Sequence, residues 1–505
     1  MATATQPGAG ALLSLHSVPL SAACFAAGGM LTLAFAPVGL WGLALFLPLP
    51  LLVACLRAPP RRAARLAFWF GAGLFLFGTY WVYISVHVFG QAPLALAVFL
   101  MLGLVAVMAA YFALIGWTIA RLADGRAWRL VLAAPAGWVA VEWFRGWFLT
   151  GFPWLSLGYS QVDSPLRGWL PVAGVYGVSF LVVLSSAALL AAVVERGRSR
   201  RAALLLALAP WLVGAALHSL SWAQPAGDAR TITLVQGGVG QDRKWLREQF
   251  VLTLELYRES LAAHPDSDLV VWPEVAIPAL AEEVEPWLEM LEERLREEDR
   301  SLLLGILERQ GEDIYNSLML LDGYGRQVYR KRHLVPFGEF FPVPDRVREW
   351  MRLMSLPYRD MTPGSPEQPL LETRSGDRLA AAICYEDAYG AEQLYALPDA
   401  TILINVSNDA WFGDSNAPHQ HLEIARVRAA EAARYAVRAT NNGISAFIDP
   451  AGRLLDTAPQ FRYAALTAEV VPMRGATPYS IVGNWPTVVL ALGGVLLLAW
   501  RRRGA

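Results

Sequence analysis

Long apolar runs occupy both ends of the chain, and a mixed pattern of apolar and polar residues fills the part between them. A helix that crosses a bilayer needs roughly 20 predominantly apolar residues. The pattern predicts eight such helices, near residues 9–28, 31–56, 67–88, 92–120, 130–149, 171–194, 202–221 and 481–500. We therefore predict three regions: a membrane domain of seven transmembrane helices over 1–221, a water-facing domain over 222–480, and an eighth transmembrane helix with a basic tail over 481–505.

The middle region alternates short β-rich runs with helical stretches. Strands are predicted at 231–237, 268–274, 301–308, 315–322, 379–387, 400–408 and 444–450, and helices from about 241, near 280–299 and near 419–440. Strands that are apolar on both faces and separated by helices are typical of a layered α/β domain with buried sheets. The sequence thus predicts a polytopic helical membrane domain joined to an α/β domain.

The distribution of charge predicts where each region lies. Of the 43 acidic residues, 39 fall within 222–480, together with 26 of the 42 basic residues. Fourteen arginines lie in alternate connections and at the C-terminal end, whereas the connections on the opposite side carry only Arg145 and Arg167. Eight spans with both termini in the cytoplasm satisfy the positive-inside rule in every loop, but seven spans, with the first two merged, would not. Residues 222–480 are therefore predicted to lie outside the cytoplasm.

Two further features are open to more than one interpretation. Glu142 and Arg145 lie near a span interior at a spacing that allows an ion pair on one helix face, and they fit a structural pair or the lining of a substrate cavity equally well. The segment 340–358 is unusually apolar for a loop, and we favour an amphipathic arm on the membrane over a simple covering of the core. No removable signal peptide is expected, because no basic region precedes the first apolar run.

Cys384 is the one cysteine predicted to lie outside the membrane, since Cys24 and Cys55 fall within or at the ends of predicted spans. Extracytoplasmic cysteines tend to be paired, but Cys384 has no partner for a structural disulfide. A metal site is weakly supported, because His419 and His421 are two residues apart, a spacing that suits a strand better than a helix face. An inert buried thiol and a nucleophile remain.

Three features favour the nucleophile. Cys384 ends a strand-like run and precedes a predicted helix, whose N-terminal amides can lower a thiol pKa or bind an oxyanion. Glu274, in "VVWPEVAIP", ends another buried strand, where partial burial can raise its pKa toward that of a useful general base. Lys331, in "YRKRHLVPFGEF", supplies a cation that would stabilise a thiolate or the anion of a tetrahedral intermediate. Each residue alone has an ordinary structural explanation, whereas the set favours a catalytic site.

Four motifs occur in order between the predicted spans: "VWPE", "YRKRHLVPFGE", "ICYED" and "NVSNDAWFGDS". With the predicted topology, they make nearly the whole chain resemble the bacterial apolipoprotein N-acyltransferases, membrane enzymes with a nitrilase-like domain. The resemblance implies an αββα sandwich in which Glu274 is the base, Lys331 the oxyanion-stabilising cation and Cys384 the nucleophile. It also implies supporting or substrate-binding roles for Glu339, Tyr385, Glu386, Trp245 on a mobile arm, Asn316 and Trp411. Asp387 stands where we expect the family more often to have an apolar residue.

The resemblance also implies a reaction and a location. A phospholipid, commonly phosphatidylethanolamine with its sn-1 chain, would donate an acyl group to Cys384, and the α-amine of the diacylglyceryl-cysteine that begins an apolipoprotein would accept it. This would be the last step of bacterial lipoprotein maturation, on the periplasmic side of the inner membrane. Two substrates that share one cysteine imply ping-pong kinetics. No metal, cofactor or nucleic-acid partner is expected, and the sequence contains no phosphate-binding loop.

Two other functions fit part of the pattern. A membrane-anchored amidase or nitrilase could use the same three residues, although it would need at most one anchor. A transporter whose outer domain captures substrate would need a polar path through the membrane, and only the pair Glu142 and Arg145 lies near a span interior.

Overall fold

The computed structural model describes residues 17–341, 346 and 360–503. The first predicted span is therefore described only from Ser17 onward. Nearly all of the apolar segment 340–358 lies outside the described residues, so its placement on the membrane stays a prediction.

The N-terminal half is helical, as its long apolar runs predict. Its α-helices are α1 (Ser17–Leu31), α2 (Leu43–Phe46), α3 (Leu49–Arg57), α4 (Pro60–Gly78), α5 (Trp81–Tyr83), α6 (Leu94–Ala123), α7 (Ala127–Arg145), α8 (Leu170–Val194) and α9 (Gly197–Leu217). A π-helical turn, Ile84–Phe89, continues α5. Gly28 and Gly73 let α1 and α4 touch backbone to backbone, because a Cβ on Gly28 would lie 1.8 Å from a carbonyl oxygen of α4. Such small residues are typical of helix contacts within membranes.

The length and hydropathy of the described helices support part of the eight-span prediction. Of the described helices, three are long and apolar enough to cross a bilayer, and the bent pair Pro60–Gly78 and Trp81–Phe89, with an angle of 51°, would be a fourth. The two predicted spans at the N-terminus correspond to shorter apolar helices, Leu20–Ala34 and Leu43–Arg57. The helix α7 and the C-terminal helix match predicted spans but carry several charged residues. The count of eight thus stays a prediction.

In the described part of the C-terminal half, the strands form two six-stranded sheets. The strands are β1 (Gln224–Pro225), β2 (Arg230–Gln236), β3 (Leu269–Val271), β4 (Ser301–Gln310), β5 (Asp313–Leu321), β6 (Arg326–Arg330), β7 (Leu371–Glu372), β8 (Arg378–Ile383), β9 (Ile402–Ser407), β10 (Ala436–Thr440), β11 (Ala446–Ile448), β12 (Leu454–Thr457), β13 (Ala464–Val470) and β14 (Met473–Arg474). The first sheet has the order β13-β2-β3-β4-β5-β6 and the second β12-β11-β10-β9-β8-β7, while β1 pairs with β14. The central pairs β2 with β3 and β8 with β9 are parallel.

The C-terminal half also contains α-helices, and the last of them packs against α7 of the membrane half. They are α10 (Arg247–Ala263), α11 (Glu285–Glu298), α12 (Gly390–Gln393), α13 (Ala417–Ala432), α14 (Pro478–Val482) and α15 (Trp485–Arg503). An apolar core lies between the sheets, a second joins the first sheet to α10 and α11, and a third joins the second sheet to α13. This layering confirms the predicted αββα sandwich beside a helical membrane domain.

One predicted element is wrong in its second half. The helix predicted near 419–440 ends at Ala432, and Ala436–Thr440 is the strand β10. Ala433 adopts a left-handed conformation (φ 51°), which stops the helix, and β10 then pairs in parallel with β9. The small and apolar residues of this stretch fit the periodicity of a helix or of a strand, so pairing with β9 determines that it forms a strand.

Candidate active site

The two sheets bring the predicted triad together at the ends of their strands. Glu274 follows β3 and Lys331 follows β6 in the first sheet, whereas Cys384 follows β8 in the second. All three side chains are buried. Electrostatic interactions link the thiol of Cys384 to both Glu274 and Lys331, so these three groups share one buried site.

Both carboxylate oxygens of Glu274 are held by hydrogen bonds. Asn316 Nδ2 donates to Oε1 at 2.8 Å, and Lys331 Nζ lies 3.4 Å from the same oxygen. The main-chain N–H of Asn408, just after β9, donates to Oε2 at 2.8 Å. Because Asn408 directly follows a strand of the second sheet, this bond fixes the carboxylate relative to the strand ends that carry Cys384.

Lys331 lies between two carboxylates. Its Nζ donates to Glu339 Oε1 at 2.8 Å, and Glu339 Oε2 in turn accepts from the main-chain N–H of Val335 at 2.7 Å. Burial alone would lower the pKa of Lys331, but the charges of Glu339 and Glu274 raise it above its usual range. Lys331 is therefore a permanent cation. We name Glu274, Asn316, Lys331 and Glu339 the base cluster.

Cys384 starts a 3-10 turn, Cys384–Ala388, in a left-handed conformation with φ 54°. Burial raises the pKa of its thiol above the usual range, and Glu274 adds to this, while Lys331 and the Ser407 hydroxyl lower it. The lowering of the thiol pKa that we expected from nearby amides and a lysine is thus smaller than the opposing effect of burial. The resting side chain is a neutral thiol, which needs a base to become a nucleophile.

Glu386 joins the turn after Cys384 to the segment that carries Lys331. Its carboxylate accepts from the main-chain N–H of Arg332 at 2.7 Å and of Ile383 at 2.6 Å, and from the Tyr329 hydroxyl at 3.0 Å. Burial raises its pKa, and these donors oppose that shift. Glu386 therefore connects the two sheets beside the candidate nucleophile.

The side chains of Trp245 and Trp411 are not part of the base cluster. Their side chains are 55% and 40% exposed, respectively. Lys244, which precedes Trp245, is buried and donates from Nζ to the main-chain oxygen of Glu274 at 3.2 Å. Burial lowers the pKa of Lys244 to about 8, and the Glu274 charge opposes this shift. Neither Lys244 nor Asn408 is predicted as a site residue from the sequence, although Lys244 precedes Trp245 and Asn408 lies within the motif "NVSNDAWFGDS".

The loop of residues 150–157, which follows α7, packs against the turn of Cys384. The hydroxyl of Tyr389 donates to the Gly151 carbonyl at 3.0 Å, and that of Tyr385 to the same oxygen at 3.3 Å. Trp154 Nε1 donates to Gln420 Oε1 on α13 at 2.7 Å. The membrane half therefore contributes directly to the surroundings of the candidate nucleophile.

The buried pair Glu142 and Arg145 holds this 150–157 loop in place. Arg145 Nη1 donates to the carbonyl of Trp154 at 2.8 Å, and Glu142 Oε1 accepts from the main-chain N–H of Leu157 at 2.9 Å. These bonds support the structural interpretation of the two residues over the lining of a cavity. Their partners belong to the loop, which the spacing of the two residues alone does not indicate.

Comparison with protein families agrees with both halves of the molecule. Residues 27–188 match the apolipoprotein N-acyltransferase N-terminal domain, and residues 231–479 match carbon-nitrogen hydrolase. An apolipoprotein N-acyltransferase from Methylococcus capsulatus is 43% identical over 486 residues, 95% of this chain and 95% of its own. One from Azotobacter vinelandii is 45% identical over 497 residues, 95% of this chain and 94% of its own. The chain belongs to the apolipoprotein N-acyltransferase family.

Membership in this family confirms that the chain is an acyltransferase and a bacterial membrane protein. The carbon-nitrogen hydrolase match lies on the αββα sandwich, within the water-facing region predicted from the sequence. Among solved structures, a cysteine-to-alanine mutant of the Nesterenkonia AN1 amidase from the nitrilase superfamily is 19% identical. It covers 52% of this chain and 97% of its own, with a TM-score of 0.39.

Proposed function

We propose that this acyltransferase moves a fatty acyl chain from a membrane phospholipid to the α-amine of the diacylglyceryl-cysteine that begins an apolipoprotein. The chain would pass through a thioester on Cys384, in the last step of bacterial lipoprotein maturation. The observation that carries the proposal is the buried neutral thiol in electrostatic contact with the Glu274 carboxylate and the Lys331 ammonium. A base, a nucleophile and a fixed cation are the groups that covalent acyl transfer needs.

In the first half-reaction, Glu274 takes the proton of the Cys384 thiol and the thiolate attacks the ester carbonyl of the phospholipid. Lys331 stabilises the negative charge that develops on the carbonyl oxygen. The C–O bond then breaks, the lysophospholipid alkoxide receives the proton from Glu274, and the acyl chain stays on sulfur. Phosphatidylethanolamine, with its sn-1 chain, is the donor we infer from the family resemblance.

In the second half-reaction, the α-amine of the apolipoprotein attacks the thioester carbonyl. Glu274 takes the amine proton, the C–S bond breaks, and the Cys384 thiolate recovers a proton from Glu274. The product is an amide, which is more stable than the thioester, so the sequence of steps needs no nucleotide. Because one cysteine serves both substrates in turn, ping-pong kinetics are expected.

A hydrolase with the same residues is the competing function. It would pass the acyl group to water and release free fatty acid or ammonia regardless of the acceptor. The contacts between the 150–157 loop and the turn of Cys384 favour the transferase, because they place the candidate nucleophile against the membrane half, close to lipid donors.

We also propose that the catalytic region 222–480 faces the periplasm and that eight spans anchor it in the inner membrane. The asymmetry of the arginines supports this orientation. Reporter fusions after residues 60, 125, 198 and 505 should report the cytoplasm, and a fusion near 225 the exterior. A cytoplasmic signal at 225 would contradict the orientation.

Mass spectrometry tests the reaction. Protein incubated with phosphatidylethanolamine and no acceptor should gain the mass of one acyl chain on Cys384, and neutral hydroxylamine should remove it. A peptide with a diacylglyceryl N-terminal cysteine should then discharge the thioester and carry the same chain in amide linkage.

Variants of the three cysteines supply the controls. Cys384→Ala should show neither mass gain nor transfer. The double variant Cys24→Ala, Cys55→Ala should behave as wild type, because both thiols are buried in the membrane half. Acylated peptide from the Cys384→Ala protein would eliminate the covalent route.

A further inference from the structure

The main-chain carbonyl of Cys384 is bonded by a histidine that the proposed reaction does not use. His421, on α13, places Nε2 3.1 Å from the carbonyl oxygen of Cys384. Its other ring nitrogen, Nδ1, lies 2.9 Å from Asp409 Oδ1. The imidazole is 1% exposed, so these two protein groups, rather than bulk water, determine its protonation.

Both partners of the ring accept hydrogen bonds. A carbonyl oxygen has no proton to give, and Asp409 is ionised. Burial alone would raise the pKa of Asp409, but His421 and Arg438 lower it below the usual range. A neutral imidazole has one donor and one acceptor, so it could satisfy only one of these partners. A ring that donates from both nitrogens is an imidazolium cation.

The surroundings of the ring favour its charge. The second oxygen of Asp409 accepts from Arg438 Nη2 at 2.8 Å, and Arg438 Nη1 lies 3.5 Å from Asp387. We name Asp387, Asp409, His421 and Arg438 the carbonyl cluster; with His421 protonated, two cations face two carboxyl groups. Burial raises the pKa of Asp387, and the charges of Arg438 and His421 oppose this shift. The ring centroids of His421 and of Trp154, from the 150–157 loop, lie 5.6 Å apart at an angle of 54°.

The carbonyl that His421 holds belongs to a strained position. Cys384 has φ 54°, a left-handed conformation that is unfavourable for a residue with a side chain and persists only where neighbours fix it. Asn405 Nδ2 lies 3.4 Å from the same carbonyl oxygen, a longer contact than that of the histidine. His421 is thus the closer of the two side-chain donors to this oxygen.

We propose that His421 is a positioning residue, held as an imidazolium by Asp409, that fixes the main-chain carbonyl of Cys384 and thereby aims the thiol at its substrates. The proposal rests on the proposed function, because it assigns Cys384 as the nucleophile. His421 itself contacts no reacting atom, and it acts through the backbone of the turn.

Three variants test the positioning role. His421→Leu removes both hydrogen bonds at similar size, His421→Gln keeps one donor, and His419→Gln alters the half-buried neighbour whose Nε2 contacts Gln460. The readouts are the rate at which iodoacetamide alkylates Cys384, the rate of acylation by phosphatidylethanolamine, and its KM.

A displaced nucleophile should slow both rates in His421→Leu by about 10- to 100-fold with KM little changed. His421→Gln should lie between His421→Leu and wild type, and His419→Gln should match wild type. A role in packing alone would instead make the apolar His421→Leu at least as reactive as His421→Gln, and that order would overturn the proposal.

Nitrogen NMR of histidine-labelled wild-type protein tests the charge directly and needs no activity. One signal should show a ring that donates from both nitrogens, and it should be missing from His421→Gln. If that variant does not fold, His333→Gln removes the other described histidine beside a carboxylate, and the imidazolium signal that remains should belong to His421. A neutral His421 ring would overturn the proposal.

The outcomes separate this proposal from the function on which it rests. Normal NMR and alkylation results in a protein that never acylates Cys384 would remove the proposed function and leave the role of His421 intact. Normal acylation by wild type, together with unchanged alkylation in His421→Leu, would remove the role of His421 alone.

Discussion

The base cluster and the carbonyl cluster are both buried and ionic, and both influence Cys384, the first through its charges and the second through a bond to the main-chain carbonyl. They differ in how their charge is balanced. In the base cluster a single cation, Lys331, lies between the two carboxylates of Glu274 and Glu339. In the carbonyl cluster two cations face two carboxyl groups, and both oxygens of Asp409 are bonded to cations. A cluster with excess negative charge can accept a proton, whereas a cluster with balanced charge resists a change of protonation. The first arrangement suits proton transfer and the second suits rigidity.

Glu274→Gln should produce the largest effect that separates the two clusters. The amide retains the size of the side chain but cannot take the thiol proton, so acylation of Cys384 should slow by about 10²- to 10⁴-fold. The unfolding temperature should change little. Quenched-flow mass spectrometry would measure the rate, and near-normal acylation would remove Glu274 from the role of base.

Arg438→Met, in contrast to Glu274→Gln, should mainly lower the stability of the folded protein. It removes the buried guanidinium that Asp387 shares with one oxygen of Asp409, and breaking a buried pair in this way costs about 3–5 kcal/mol of unfolding free energy. Denaturant or thermal unfolding in detergent would measure the loss. Arg374→Met, at a partly exposed ion pair with Asp299, is the matched control and should cost less than about 1 kcal/mol. Equal losses in the two variants would contradict the importance of burial.

Lys331→Met tests the cation of the base cluster. Loss of transition-state stabilisation should cost about 3 kcal/mol, or roughly 10²-fold in the acylation rate. Lys331→Arg retains a charge and should recover part of the rate. Comparable rates in the two variants would show that charge at this position is not what matters.

Substitution of Lys244 should give the smallest effect, a change in how the free energy of unfolding depends on pH. Its pKa of about 8 in the folded protein lies below the value of about 10.4 for an unfolded lysine, so between these values the folded state binds fewer protons. Stability therefore rises with pH across this window, by about 1 kcal/mol between pH 8 and 9. Lys244→Met should lack this rise. Unfolding curves of both proteins at several pH values would measure it, and parallel curves would contradict the shift.

The sequence predicts more of the base cluster than of the carbonyl cluster. Glu274, Lys331 and Cys384 stand in short motifs at strand ends, and the ends of neighbouring strands meet in space. His421 and Asp409 lie 12 residues apart along the chain, and Arg438 falls in a stretch predicted as helix. The strand β10 depends on pairing with β9, which no local pattern encodes, so the position of Arg438 could not be predicted.

His419 and His421 fall within the helix predicted near 419–440, but their spacing does not show which neighbours they contact. Both lie on α13, and of the two it is His421 that bonds Asp409. Glu142 and Arg145 show the same limitation, because their partners lie in the 150–157 loop. Sequence reveals which side chains are charged within an apolar stretch, and the tertiary fold selects their partners.

The helix α13 also carries two carboxylates that bind main-chain amides of the membrane half. Glu423 accepts from Ala36 at 3.1 Å, and Glu431 accepts from Val175 at 2.7 Å. Because a ribosome makes the chain from its N-terminus, both amides enter the bilayer region long before α13 has been synthesised. Under the proposed orientation, α13 must then be exported before these bonds can form. The membrane half is thus completed only by a segment translated more than 250 residues after the amides that it binds, and its assembly is coupled to translocation of the catalytic region.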